Sequence, residues 1–353
     1  MRAVLIDTPG SVRVDDWPDP VLPGSTGAIV KVTAAAICGS DLHFYEGDYP
    51  LFQPVSLGHE AIGTVVEVGS DVRTVTVGDQ VIVSSVAGCG ACTGCATKDP
   101  ILCASGPQVF GSGVLGGAQA ELMAVPAADF QLLKMPEGID TEQALLLTDN
   151  LSTGWIAAKR ADIPLGGTAV VIGLGAVGLC AVRSALFQGA ARVYAVDPVA
   201  ERRDRAARLG AIAVEPAAAQ TVMDATGGLG AHSVIDAVGN DTTIDDSLAT
   251  VRAGGTVSVV GVHNLNPYPF PALTALLRSL TFRMTTAPVQ QTWPELIPLL
   301  QSGRLDVDGI FTTTLPLEQA ADGYAAVAAR SGGGRQGPAH AVTWGASALT
   351  YAR

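Results

Sequence analysis

Residues 37–60 hold a dense set of side chains able to bind a metal and move a proton. Cys38 and His59 are a thiolate and an imidazole, the kinds of ligand that Zn²⁺ prefers. Ser40 and His43 lie beside Cys38 and can pass a proton. Asp41 can orient a ligand imidazole, and Glu60 adds a carboxylate beside the metal. In a chain with six Cys and five His, this concentration reads as half of a catalytic zinc site.

Four of the six cysteines form a second set. Cys89, Cys92, Cys95 and Cys103 have the spacing C-x2-C-x2-C-x7-C. Four thiolates at such intervals can close a tetrahedron around Zn²⁺ and leave no position open, so the site is structural. The bacterial ferredoxin run ends C-x3-C-P, whereas here the last gap is seven residues and Ala104 follows.

A third set is Gly173-Leu-Gly175-Ala-Val177-Gly178. It follows a Val-rich strand, opens a helix, and is answered by Asp197 at the end of the next strand. That context makes it a dinucleotide fingerprint. Gly173 permits the tight turn, Gly175 lets the backbone approach a pyrophosphate, and Gly178 lets helix and strand pack closely. The helix N-terminus offers amide donors and partial positive charge to phosphates. Asp197 can accept from the adenosine ribose hydroxyls and would repel a 2′-phosphate, which favours NAD over NADP. Arg202 and Arg203 follow. Arg202 is a candidate cofactor contact, against a reading in which both lie on an exposed helix face where Glu201 pairs with Arg205.

Cys38 and His59 need a third partner. Asp149, in Leu147-Thr-Asp-Asn-Leu-Ser-Thr-Gly154, is the candidate. As a preferred helix cap, Asp149 has an equally good structural reading, and its spacing alone leaves both open.

The elements around these sets fall into two textures. Residues 1–150 show short alternating runs, Ala28 to Val32, Gly63 to Val68, Val81 to Ser84 and Ala120 to Val125, punctuated by Gly, Pro and Asp. These predict antiparallel, barrel-like strands. From 151 to 286 strand and helix patterns alternate, with six strand candidates, as in a complete doubly wound dinucleotide domain. Residues 287–353 return to mixed texture: helices over Trp293 to Gln301 and Leu317 to Ala329, a loop over Ser331 to Pro338, and a final strand ending near Val342. The length of 353 residues fits two domains. The net charge of −12 argues against nucleic acid and against an anionic membrane as partners. No stretch reads as a signal peptide or membrane span. The expected location is the cytoplasm, where clustered cysteines bind metal rather than cross-link.

Together these pieces resemble the zinc-dependent medium-chain alcohol dehydrogenase family over nearly the whole chain. The matching stretches are Cys38-Gly-Ser-Asp-Leu-His43, Gly58-His-Glu-Ala-Ile-Gly-Thr-Val-Val-Glu-Val-Gly69, the four-Cys lobe, Thr148-Asp-Asn-Leu-Ser-Thr-Gly154, and Gly173 to Gly178 with Asp197. The resemblance implies catalytic zinc on Cys38, His59 and Asp149, with Glu60 able to approach it. Many members have Cys at the third position. The implied fold is a GroES-like catalytic domain, residues 1–150 with 287–353, around a Rossmann domain over 151–286. Two zinc ions per subunit, NAD, and a homodimer or homotetramer are implied as well.

The expected reaction is reversible NAD-linked oxidation of an alcohol to a ketone or aldehyde. Ser40 and His43 would carry the released proton, Asp41 would fix the His59 ring, and Thr153 would pack near the nicotinamide. Phe44, Tyr45, Phe110, Leu115, Trp155 and His263 are mostly apolar pocket candidates, with core packing as the other reading. Such a pocket suits a secondary or bulky hydrophobic alcohol. A polyol, diol or imine reductase on the same scaffold is the alternative within enzymes. A nicotinamide-binding module without catalysis is the alternative outside them.

Overall fold

The strand Ala28–Ala36 runs through the middle of the larger sheet of the first unit. It pairs antiparallel with Glu60–Val68 on one side and with Leu122–Val125 on the other. Lys31 points outward in its first half, whereas Ala34, Ala35 and Ala36 are all buried. The end that leads to Cys38 is therefore covered on both faces. Glu60–Val68 pairs in turn with Gln80–Val83, and that strand with Leu132–Lys134. A smaller sheet joins Ser11–Asp16, Arg2–Thr8 and Val55–Ser56. Branched side chains dominate the enclosed core, with Val30, Val65, Val81, Val83, Leu57, Phe110 and Tyr324 among its members.

The computed structural model describes residues 1–311 and 313–329, together with the backbone strand Val342–Thr343. Thr343 of this strand pairs with Ala36 of the central strand. The loop expected over Ser331 to Pro338 lies outside the described residues. The first unit takes in Met1–Ser152, Pro288–Arg304 and Phe311–Arg353, and the second Thr153–Ala287 with Leu305–Ile310. Among the described residues, no helix is long and apolar enough to cross a membrane.

Two helices of the first unit position residues used below. Thr141–Thr148 opens on a capping box, in which Asp140 accepts from the Gln143 amide at 2.9 Å and Gln143 answers the Asp140 amide at 3.2 Å. Leu145, Leu146 and Leu147 are all fully buried. A three-residue apolar run carries no helical period, which is why the pattern alone does not announce this helix. Val289–Gln301 begins four residues ahead of the expected start at Trp293 and contains Pro294 and Pro298. The region expected as one helix from Leu317 is a 3₁₀ turn, Leu317–Gln319, followed by the helix Ala320–Ala328.

The second unit is a six-stranded parallel sheet. Its spatial order is Ile212–Val214, Arg192–Val196, Thr168–Ile172, Ala231–Asp236, Val251–Val259 and Thr281–Met284. This is the doubly wound order, with the chain reversing direction across the sheet between the first and fourth strands in sequence. All five residues of Thr168–Ile172 are buried, as expected for a central strand covered on both faces. Ile212–Val214 and Thr281–Met284 are the two edge strands of the sheet. Val251–Val259 is interior, paired on both sides.

Gly178 shows how tightly the sheet and its first helix approach. A Cβ built on Gly178 would overlap the carbonyl oxygen of Gly173. Backbone cannot yield as a side chain can. Gly178→Ala is therefore expected to lower the melting temperature by about 5 °C or more, equivalent to a loss of roughly 2 kcal/mol or more. Differential scanning calorimetry against wild type reads this directly.

Candidate active site

Adjacent strand ends bring the first residues together. Ala36, which ends its strand, pairs with Glu60, which begins the neighbouring one. Cys38 lies two residues beyond the first end and His59 one residue before the second start. Sequence-distant residues thus converge because the antiparallel register places them side by side. Gly58 makes the approach possible. Its φ is +92°, a left-handed conformation, and its carbonyl accepts from the Ala118 amide at 2.8 Å.

Asp149 enters from a different element. It sits between the helices Thr141–Thr148 and Asn150–Arg160. The helix Val289–Gln301 clamps this junction: Trp293 Nε1 donates to Leu147 O at 3.0 Å, and Thr292 Oγ1 meets Ser152 Oγ at 2.8 Å. Asp149 Oδ2 then lies 3.2 Å from His59 Nε2. Donor atoms of Cys38, His59, Glu60 and Asp149 all fall within 4.8 Å of one another. Cys38, His59 and Glu60 are buried and Asp149 is half-buried.

The surrounding polar groups hold these side chains in place. Asp41 Oδ1 lies 3.1 Å from His59 Nδ1, and Asp41 Oδ2 accepts the Cys38 amide at 3.0 Å. Asn150 Nδ2 donates to Glu60 Oε2 at 2.5 Å, while its Oδ1 lies 4.0 Å from Cys38 Sγ. The sequence reading does not include Asn150, although its position next to Asp149 was the available signal. Glu60 Oε1 is buried and has no hydrogen-bond partner among the described residues.

The electrostatics follow from this enclosure. Burial pushes the Cys38 thiol up to about 11, against a lowering contribution from His59. Burial, then the Asp149 carboxylate, push Glu60 up to about 8. Burial opposes charge on His59, yet Asp41, Asp149 and Cys38 outweigh it and raise it well above its ordinary value. A thiol, an imidazole and two carboxylates in a dry site strain one another unless a cation joins them. The orphaned Glu60 oxygen and the soft and hard donors together fit a zinc ion.

The expected relay residues are placed as follows. Ser40 Oγ lies 3.5 Å from His59 Nε2. His43 Nδ1 pairs with Asp48 Oδ2 at 2.8 Å, and its ring stacks on Tyr49 with centroids 4.9 Å apart. Of the apolar pocket candidates, Phe110 is buried in the core of the first unit, and Phe44, Tyr45 and Leu115 pack against it. Trp155 packs on Phe187 at 5.6 Å, and His263 Nε2 pairs with Asp241 Oδ1 at 2.8 Å. Core packing is thus the observed role of Phe110 and Trp155.

The four-Cys lobe is a compact cluster of free thiols. One sulfur from each of Cys89, Cys92, Cys95 and Cys103 lies within 4.8 Å of the others. Backbone amides point at the sulfurs: Ala104 N and Cys95 N at Cys92 Sγ, both at 3.4 Å, and Cys89 N at Cys103 Sγ at 3.3 Å. These amides, Ala104 first, draw the Cys92 thiol down to about 6. Burial instead pushes Cys95 up to about 12. Phe130 and Ala127 cover the cluster from one side. Amide-to-sulfur bonds favour thiolates, the form that coordinates metal.

The second unit carries a different kind of site, made largely of backbone. Gly173 has φ +85°. Gly175, at the N-cap of the helix Ala176–Phe187, is exposed, and a Cβ there would meet nothing within 4 Å. Its φ of −69° suits any residue. Nothing in the protein requires glycine at this position, so the open space above it fits a group that approaches the backbone from outside. A pyrophosphate at a helix N-terminus is such a group. Asp197 is nearly fully buried. Its Oδ2 accepts the Leu174 amide at 2.8 Å and its Oδ1 the Val199 amide at 2.8 Å. Arg202 Nη1 lies 3.4 Å from Asp197 Oδ2. Arg203 binds the Asp197 and Pro198 carbonyls and Glu215. Arg205 docks on the carbonyls of Gly309 and Ile310. Val177 is half-buried on the same helix, and Thr153 is buried in this unit.

Comparison with known proteins agrees with this geometry. Residues 24–137 match the alcohol dehydrogenase GroES-like domain family, and residues 176–302 match the zinc-binding dehydrogenase family. A Mycobacterium tuberculosis protein named as a zinc-binding alcohol dehydrogenase is 70% identical over 332 residues, spanning 94% of this chain and 86% of that protein. The solved alcohol dehydrogenase from Thermus sp. ATN1 superposes with a TM-score of 0.87 at 36% identity, covering 98% of this chain and 99% of the other. A zinc-dependent alcohol dehydrogenase from Streptococcus pneumonia also gives 0.87, at 30% identity and 98% coverage of both chains. With buried metal donors on one unit and a doubly wound sheet in the other, the chain belongs to the zinc-dependent alcohol dehydrogenases of the medium-chain family.

Proposed function

We propose that Cys38, His59 and Asp149 hold a catalytic zinc ion with Glu60 in reach of it, that Cys89, Cys92, Cys95 and Cys103 hold a structural one, and that NAD is the hydride acceptor. The observation that carries this reading is the convergence of four donors, one of them Glu60, whose buried Oε1 has no hydrogen-bond partner among the described residues. Bound zinc supplies Lewis acidity toward an alcohol oxygen. Asp41 holds His59 Nδ1 and thereby keeps Nε2 turned toward Asp149. Ser40 Oγ takes up the alcohol proton, and His43, held by Asp48, receives it. Gly175 leaves room for the pyrophosphate, and Asp197 meets the adenosine ribose, with Arg202, Val177 and Thr153 as further contacts.

Two variants separate the metals. Wild type is expected to hold two zinc ions per chain by elemental analysis. Asp149→Asn should lose the ion at Cys38 and nearly all activity, with little change in melting. Cys95→Ser should lose the other ion and lower the melting temperature by about 5–10 °C, because a structural zinc contributes folding free energy directly. A wild type that reproducibly retains one ion, unaffected by either substitution, would refute the two-site assignment.

The cofactor reading rests on Asp197. A buried carboxylate facing a 2′-phosphate is unfavourable, and each charge-assisted hydrogen bond to a ribose hydroxyl contributes roughly 1.5–3 kcal/mol. Wild-type kcat/KM is expected to favour NAD over NADP by about a hundredfold. Arg202 softens that ratio by lying beside the carboxylate. Asp197→Gly should narrow it, with melting followed alongside because Asp197 also anchors the Leu174 amide. Equal use of the two cofactors by wild type would reject the assignment.

The substrate is a small alcohol or carbonyl compound, and we infer a secondary or bulky hydrophobic one. The support is the apolar composition of the segment after Ser40, whose His43 and Asp48 are paired with each other, although Leu42, Phe44, Tyr45 and Leu51 pack in or against the core. A panel of primary, secondary, diol and polyol substrates tests this, and higher kcat/KM for polyols would overturn it. The enzyme is also read as a homodimer or homotetramer. The edge strand Thr281–Met284 is flanked by exposed Leu265, Leu273, Leu276, Leu277 and Met284. Light scattering that finds only monomer at micromolar concentration would exclude it.

A further inference from the structure

The ring of His59 is held by Asp41, but the contacts do not stop there. Asp41 Oδ2 also faces Gln119 Nε2 at 3.3 Å. Gln119 Nε2 donates at the same time to Ala36 O at 2.9 Å, so both its hydrogens are engaged. Gln119 Oε1 accepts the hydroxyl of Tyr324 at 2.9 Å. The array therefore runs Tyr324, Gln119, Asp41, His59, and Gln119 and Tyr324 are fully buried. Every step has one sensible direction. Tyr324 donates, and burial keeps its phenol well above its ordinary range, so the proton stays on it. With its oxygen taken, Gln119 must present nitrogen to the carboxylate. Reversing the amide would set oxygen against both Ala36 O and Asp41, which repel it.

Two local features exist to admit this array. A Cβ on Gly58 would come within 2.5 Å of Gln119 Cγ. The residue immediately before His59 is thus glycine where Gln119 crosses it. Tyr324 lies on the helix Ala320–Ala328, near the end of the described chain, and stacks on Tyr45 with centroids 5.9 Å apart. Its ring is core, whereas its hydroxyl reaches the polar array.

We propose that Gln119 and Tyr324 are positioning residues for the zinc site, locking Asp41 and through it the His59 ring. The proposal rests on reading His59 as a zinc ligand. Tyr324→Phe keeps the ring and its packing and removes only the donor to Gln119. The Gln119 oxygen is then buried without a partner, and its amide loses a fixed orientation. Partners of metal-ligating histidines usually change metal affinity by about 10–100-fold when replaced. Gln119 acts one contact further out and Tyr324 two.

The experiment measures zinc release from the catalytic site by chelator competition, with the four-Cys zinc as internal reference, in wild type, Tyr324→Phe, Gln119→Met and the double variant. Visible spectra of the cobalt-substituted site are recorded in parallel. Gln119→Met is expected to weaken the catalytic zinc by about tenfold and Tyr324→Phe by about threefold, both with altered cobalt bands. The double variant should match Gln119→Met closely, because the Tyr324 hydroxyl is bonded to Gln119 Oε1 at 2.9 Å. Additive losses, or a Tyr324→Phe protein with unchanged zinc release and cobalt spectrum, would overturn the proposal while leaving the zinc site itself standing. A wild type without a zinc that is sensitive to Asp149→Asn would overturn the zinc reading and this proposal together.

Discussion

Burial of mutually repelling donor groups is the constraint around which the first unit is built. Cys38, His59 and Glu60 are removed from water, with Asp149 half-removed beside them. Alone, each such group would neutralise itself by a shifted proton equilibrium, and the raised Cys38 and Glu60 show that pressure. Asp41, Asn150 and Ser40 hold the cluster from outside, and within it, against burial, the carboxylates raise His59 toward its charged form. These contacts hold the groups in one place and leave Glu60 Oε1 without a hydrogen-bond partner among the described residues, 4.0 Å from His59 Nε2. That combination is costly without a metal and sensible with one.

The means of holding differ from residue to residue. Cys38 and His59 are set by strand register, and the amide of Cys38 is tied to the same carboxylate that orients His59. Asp149 is set by a helix junction, itself fixed by Trp293 and Thr292 from a helix far along the chain. A small change in either element would move one ligand without the others. The helix Val289–Gln301 is therefore part of the site's support, although it supplies none of the four donors.

The second unit solves a different problem. The dinucleotide we propose for it is large, charged and removable, and open backbone rather than buried side chains suits such a ligand. Gly173 and Gly178 are required by the protein's own geometry, one by its positive φ and the other by the approach of helix to strand. Gly175 is required by neither. Asp197 turns both oxygens to backbone amides, which steadies the glycine turn from beneath. The four-Cys lobe lies between these extremes, with amides aimed at sulfur in place of a fold-wide core.

Much of this was legible from local pattern. Alternation marked the antiparallel strands, the strand–helix rhythm marked the parallel sheet, and short intervals marked the cysteine lobe and the glycine turn. These features depend on neighbours in sequence, where spacing translates directly into geometry. Boundaries moved by a few residues, and the helix Thr141–Thr148 escaped because three consecutive buried leucines have no period. Strand order in the parallel sheet was not legible, because it is a property of crossovers and not of any one strand. The roles of Gln119, Trp293 and Tyr324 were not legible for the same reason, and Asn150 had only its place beside Asp149 as a signal. Each is an ordinary residue by type, and only tertiary packing brings Gln119 to Asp41, Tyr324 to Gln119 and Asn150 to Glu60. The sequence alone determined which chemistry the chain carries. The tertiary structure decided how that chemistry is held, because orientation comes from contacts between residues that spacing cannot relate.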